Sequence, residues 1–347
     1  MKENDGHVIV LMAVYNGEKY VKQQLESIYN QTYGGRITVF VRDDGSADGT
    51  SEKILGVKRP KGRALVLRKG KNLGPAGSFL RLIQTAGEAD WYFYSDQDDV
   101  WAPDKVETAV KQMRRAGETP ILYGCNYSLC DENLTPVKRC GIESKPQFTP
   151  LKMLFYNKIP GCCMGMNRAL MDRLKEMKLT SVMMHDSMTL CYALYAGGVV
   201  YDKEPKVFHR IHANNVVGLG HRKIVPLPWL KEKLLLLRRK EDYDISKMAS
   251  EFLRVTEDAL KLPYYNDIVL LKNYKKNLRN TLQLLNHKDT KDAPLDRTTM
   301  SIRSKIFFRL FNIVVSAENI YRDVNLIAVN KSHFDLDYFG GIGLMVT

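Results

Sequence analysis

Residues 94–101 read YSDQDDVW, and three of the eight are carboxylates: Asp96, Asp98 and Asp99. An aromatic run, WYFY at 91–94, leads straight into them, so the acids stand where a buried strand should end. Two carboxylates two residues apart at such an end can converge on one hard cation, and Mg2+ and Mn2+ take oxygen ligands of this kind. The same pair can instead cap a turn. Asp99 is open to two roles, third ligand or cap of the following helix. Other strand-like segments also end in polar residues: 7–15 in Tyr15-Asn16-Gly17, 36–44 in Asp43-Asp44-Gly45, and 63–69 with Arg68. Carboxylates and a cation are thereby expected at one edge, a concentration that a random surface would not produce.

The elements that position these residues alternate. Apolar, β-branched runs at 7–15, 36–44, 63–69 and 90–96 predict strands. Between them, 17–32 has apolar residues at helical spacing, 46–55 carries capping residues for a short helix, and 74–87 has Pro75 near its start. Such alternation predicts an α/β fold, a mostly parallel sheet with helices on both faces, whose ligands bind beyond the carboxyl ends of the strands. Further on, helices are expected over 104–116, 168–178 and 185–198. A strand is expected over 121–131, and a strand with its return over 199–212. From 221 the sequence becomes amphipathic and helical, with a modest basic excess. The division expected is 1–220 and 221–347. The basic, apolar segment 300–315 is the candidate for contact with a membrane surface or a partner.

Composition narrows the classes. The chain has 347 residues, 44% hydrophobic and 26% charged, so a normal core is expected. A net charge of +13 suggests an anionic partner. No zinc-finger spacing, basic zipper or RNA-recognition signature supports nucleic acid as that partner. The six cysteines form no CxxC, and reduced thiols in a cytoplasmic protein are the expectation. Residues 1–6 are polar and do not read as a signal peptide, and no apolar run nears the roughly 20 residues of a membrane span.

Six segments, in order, resemble one known family. They are LMAVYNGEKYVKQQLESIYNQTY (11–33), VRDDGSADGT (41–50), KNLGPAGSF (71–79), YSDQDDVW (94–101), HDSMTLCYALYAGG (185–198) and HRIHANNVVG (209–218). Together they resemble the inverting family 2 glycosyltransferases of the GT-A fold, especially the bacterial rhamnosyltransferase-like branch. The resemblance covers about residues 7–218 and implies a nucleoside-diphosphate sugar as donor.

The resemblance also implies roles. Ala13, Tyr15 and Asn16 would edge the nucleotide pocket. Asp43 or Asp44 would accept from the pyrimidine N–H, Asp43 being favoured by its place nearer the strand end. Arg68 and Asn72 would close the pocket, with Gln97 on the substrate side of the acidic loop. Asp96 and Asp98 would hold Mg2+ or Mn2+ across the two phosphates, and His212 would be a third ligand or a diphosphate contact. Asp186 would be the general base, preceded by His185 where the family more often has Glu. Of His209 and Arg210, on alternate faces, only one should look inward. Asn214 and Asn215 would belong to a loop over the nucleotide.

The function expected is metal-assisted transfer of a sugar from dTDP-rhamnose or a UDP-hexose to a hydroxyl of a growing cell-surface glycan. The acceptor would be free or lipid-linked, at the cytoplasmic face of the membrane. A nucleotidyltransferase would carry a basic Gly-rich loop after the first strand, where this chain has YNGEKY. A processive synthase would show membrane spans and a Gln-x-x-Arg-Trp motif. A catalytically silent nucleotide-sugar-binding or assembly protein is the alternative from another class.

Overall fold

Val8, Val10, Leu11 and Met12 are fully buried, so the first strand is covered on both faces, as a central parallel strand must be. The computed structural model describes residues 6–212, apart from 140, 143–145, 147, 156, 158 and 183, and residues 245–287, apart from 275, 277 and 286. The strand is β1 (His7–Val14), and it pairs in parallel with β2 (Arg36–Asp43) and β4 (Trp91–Ser95). β3 (Arg63–Lys69) lies in parallel outside β2. The helices α1 (Val21–Tyr29), α2 (Thr50–Leu55) and α3 (Gly74–Thr85) make the connections. In register Val14 faces Asp43, Asp43 faces Lys69 and Met12 faces Ser95. The polar strand ends named above therefore lie along one edge.

The second half of the sheet is mixed. Its order is β3-β2-β1-β4-β8-β6-β9-β5, with β7 (Pro136–Lys138) on β6. β8 (Met164–Asn167) runs antiparallel between β4 and β6 (Ile121–Cys130). Helices α4 (Lys105–Ala116), α5 (Pro150–Phe155), α6 (Arg168–Glu176) and α7 (His185–Ala196) complete this part. The expected strand and return over 199–212 is instead one strand, β9 (Gly198–Arg210), parallel to β6. Around Asp202–Pro205 the pairing only shifts register, a bulge rather than a turn. β5 (Val100–Trp101) pairs antiparallel with β9, Val100 opposite Phe208 and Trp101 opposite Val207. That short pairing pins the chain just after the acidic loop.

The C-terminal region is helical where it is described: α8 (Ile245–Arg254), α9 (Tyr265–Asn273) and α10 (Leu278–Leu285). Phe252 of α8 is fully buried and packs edge-on to Tyr192 of α7 at 5.3 Å. The Lys178 N–H donates to Glu251 at 3.1 Å, and Arg254 donates to the Glu176 carbonyl. The apolar face of α8 is thus packed on the catalytic half. The expected boundary at 220/221, the Asn214–Asn215 loop, the helices expected over 221–244 and 288–335, and segment 300–315 lie outside the described residues. Among the described residues no helix is long and apolar enough to cross a membrane.

Candidate active site

After β1 the chain turns sharply, with Asn16 at φ 47°. Its N–H donates to Ser46 Oγ at 3.0 Å, and its Oδ1 accepts from the Ala47 N–H at 3.0 Å. Gln97 closes on Tyr15 twice: Oε1 accepts from the Tyr15 N–H at 2.8 Å and Nε2 donates to its carbonyl at 3.0 Å. A Cβ on Gly17 would stand 2.3 Å from Gln97 Oε1, so a side chain there would have to displace the Gln97 amide. The Tyr15 ring, 48% exposed, is left at the mouth of the site. Ala13 sits half-buried one turn of the pleat below, opposite Arg42 of β2.

The two acids after β2 are used differently. Asp43 is fully buried, accepting from the Ser46 N–H and from Ser51 Oγ, each at 2.8 Å, with Lys69 Nζ at 3.9 Å. Burial alone would raise its carboxyl, but these donors outweigh it and hold the group below the ordinary range. Asp44 accepts through Oδ1 from Arg42 and from the Leu73 N–H at 2.8 Å, and no partner engages Oδ2 among the described residues. Arg42 also donates to Ser78 Oγ and to the Lys71 carbonyl. Asn72 is exposed and caps the Gly74 N–H at 3.0 Å. Arg68, exposed on β3, lines a cavity of about 1210 Å³ together with Arg42, Lys71 and Arg81.

Residues 96–99 form the acidic loop. Burial, with the charges of Asp99 and Asp98, pushes the Asp96 carboxyl up to about 8, and burial with Asp99 likewise raises Asp98. Asp98 Oδ2 lies 2.8 Å from His212 Nε2, and that imidazole stacks on Tyr20 with centroids 5.1 Å apart. Asp99 is fully buried. Its Oδ1 meets His209 Nδ1 at 2.8 Å and accepts from the Arg210 N–H at 3.2 Å, while Oδ2 is buried without a partner. Burial opposes the Asp99 charge, yet the His209 cation outweighs it and the carboxyl is lowered; Asp99 in turn raises His209. Asp99 therefore neither caps α4, whose cap position is Asp104, nor faces outward with its neighbours. His209 and Arg210 both reach inward, against the expectation of one: Arg210 Nε donates to the Asp98 carbonyl at 2.8 Å.

Asp186 stands in the first turn of α7. Burial pushes its carboxyl up to about 6, and its charge is among those raising Asp96, so the two carboxylates are within electrostatic reach of each other. His185 is buried against Phe79, stacked at 3.7 Å, and burial lowers it to about 3, so it is neutral. A Cβ on Gly161 would lie 2.6 Å from His185 Nε2, so this glycine makes room for the ring.

The structure thus joins Asp98 with His212 and groups Asp96 and Asp186 with them electrostatically. Among the described residues, three metal-ligating side chains converge within 4.8 Å at Asp99, Cys162 and His209; Asp96, Asp98 and His212 do not close that tightly. Two half-buried carboxylates, each raised by burial and by the Asp99 charge, with an imidazole beside them, nonetheless suit a hard or borderline divalent cation. Such a charge would oppose the burial and the neighbouring negative charges that raise the Asp96 carboxyl.

A glycosyl transferase family 2 model matches residues 9–175. Over residues 9–175 the chain carries the family 2 glycosyltransferase pattern. The match agrees with the parallel strand ends and the acidic loop described above. The glycosyltransferase is 27% identical over 220 residues to the dTDP-rhamnosyl transferase RfbG of Shigella flexneri, covering 60% of this chain and 73% of that one. It is 26% identical over 171 residues to the UDP-Glc:alpha-D-GlcNAc-diphosphoundecaprenol beta-1,3-glucosyltransferase WfgD of Escherichia coli, covering 49% of this chain and 62% of that one. In fold it is similar to S. aureus TarS 1-349 in complex with UDP-GlcNAc, with a TM-score of 0.50 at 14% identity over 87% of this chain and 88% of that one. The fold is GT-A. Sequence reasoning left the role of Asp99 open, did not single out Tyr20, and did not see that His209 and Arg210 work together. The signal available was the unbroken strand character of VFHR (207–210), which carries His209 and Arg210 beside the acidic loop.

Proposed function

We propose that this glycosyltransferase is inverting and metal-assisted, and takes its sugar from a pyrimidine nucleoside diphosphate. The observation that carries the reading is the placing of Asp44 and the Asp98–His212 pair at the strand ends of one sheet edge, with Asp186 near enough for its charge to raise Asp96. Asp44 Oδ2 is the oxygen open to a base N–H, which favours Asp44 over Asp43, whose two oxygens are engaged within the turn. The Tyr15 ring offers a face for the base. A divalent ion on Asp96, Asp98 and His212 would neutralise charge on the departing diphosphate. Asp186 takes the proton of the acceptor hydroxyl as that oxygen forms its bond to the anomeric carbon. The bond from that carbon to the diphosphate breaks on the opposite face, and configuration inverts. Uracil and thymine present the same N–H and carbonyl edge, so dTDP-rhamnose and a UDP-hexose both suit the pocket. The relatives' names support a glycan hydroxyl as acceptor, and we place the reaction at the cytoplasmic face of the membrane.

Calorimetry tests this with UDP, dTDP and GDP, with and without Mn2+ or Mg2+, on the wild type and on Asp98→Ala. Metal-dependent binding of UDP or dTDP, weakened by the substitution, is expected. Binding of neither pyrimidine diphosphate under any condition would overturn the reading.

A further inference from the structure

Asp96 and Asp98 keep some exposed surface, whereas Asp99 keeps none, so the acidic loop sends two carboxylates outward and one inward. The inward one is held by β9. Asp99 Oδ1 takes both His209 Nδ1 and the Arg210 N–H. Arg210 then reaches back along the loop: Nε donates to the Asp98 carbonyl, Nη2 to Gln23 Oε1 at 2.8 Å, and Nη1 to the Glu132 carbonyl. The guanidinium, 2% exposed as a residue, lies 4.6 Å over the Tyr20 ring on which His212 stacks. Two atoms of the loop, Asp99 Oδ1 and the Asp98 carbonyl, are held by three bonds from consecutive residues of one strand.

We propose that Asp99 and His209 are positioning residues for metal binding. Their buried pair, closed by the Arg210 N–H, holds the loop from behind so that Asp96 and Asp98 present their oxygens together. The proposal rests on the reading above that Asp96 and Asp98 serve a divalent cation. Two carboxylates that repel each other would otherwise turn apart, and a cation would have to gather them at a cost in affinity. Asp99, His209 and Cys162 could instead form a cation site of their own. Two observations oppose that. His209 Nδ1 already lies at hydrogen-bond distance from Asp99, with Cys162 Sγ 4.0 Å away. The buried Lys105 ammonium donates to the Cys162 carbonyl at 2.6 Å, placing a positive group beside the cluster.

The test is Mn2+ binding to the whole chain, read as free Mn2+ by electron paramagnetic resonance. Asp99→Ala should bind Mn2+ at least about tenfold more weakly, the lower bound for losing a residue that orients ligands. Asp99→Asn keeps an acceptor for both donors and should stay within about threefold of the wild type, a difference under 1 kcal/mol. Turnover of both at saturating Mn2+ should recover, because the defect is in affinity for the ion. Should Asp99→Ala not fold, His209→Leu against His209→Gln makes the same comparison from the other partner. Wild-type affinity in folded Asp99→Ala, or an equal loss in Asp99→Asn, would overturn the proposal. A second bound Mn2+ that disappears in Cys162→Ala would overturn it in favour of a separate cation site. Asp98→Ala is the control for the underlying reading. If it binds Mn2+ like the wild type, the metal assignment fails; if it alone abolishes binding, only the positioning role fails.

Discussion

Gln97 grips Tyr15 by both backbone groups, accepting from its N–H at 2.8 Å and donating to its carbonyl at 3.0 Å. The residue between the two outward acids thereby extends the pairing of β1 and β4 by one bridge. Gln97 is thus a link between the turn at Tyr15 and the acidic loop. Replacing it with Leu removes two hydrogen bonds of about 1 kcal/mol each at an exposed site. Donor affinity should fall about three- to tenfold, checked by calorimetry with UDP and dTDP.

Asp43 and Asp44 should separate stability from binding. Asp43→Ala leaves the Ser46 N–H and Ser51 without their acceptor and should lower unfolding free energy by about 1–3 kcal/mol in urea titrations. Its carboxyl is held below the ordinary value, so its contribution is full above that value and fades as pH falls through the lower native one. Asp44→Asn keeps an acceptor for the Leu73 N–H but can lose the open oxygen. It should weaken pyrimidine nucleotide binding about tenfold with a smaller change in stability.

As the proposed base, Asp186 should set a pH limb. A base is active only when deprotonated, and this carboxyl is raised to about 6 by burial. Turnover should therefore rise with pH through about 6 and level off above it. Asp186→Asn should lower turnover by about 10²–10⁴ with donor binding intact. A pH profile of initial rates, with nucleotide binding measured alongside, checks both.

His212 contributes an imidazole at 2.8 Å from Asp98 and stacks on Tyr20. His212→Ala should weaken Mn2+ binding about 10- to 100-fold. Tyr20→Leu, which removes only the stacking face, should cost less, and Mn2+ titration of the two variants gives the order.

The parallel half was legible because its elements are long and periodic. β1, β2, β3 and the adjoining helices fall within a few residues of their expected places. β5, two residues long, and β7, three exposed residues, leave no periodic trace. β9 was misread because Asp202, Lys203, Glu204 and Pro205 look like a turn, whereas the chain absorbs them in a bulge and continues. In the site, Asp96, Asp98, Asp186 and His212 were legible as residue types in a known order. The inward direction of Asp99 was not, because the group that decides it, His209, lies 110 positions further along.

That distance has a consequence for how the protein is made. The acidic loop and the four parallel strands leave the ribosome before β9 exists, and the contacts that quiet the loop span 110 to 114 positions. Contacts so far apart form late and slowly. A nascent chain stopped near residue 200 would hold its parallel strands with three crowded acids and without His209, Arg210 or His212 opposite them. The acidic loop gains its buried partners only once a single thirteen-residue strand has arrived.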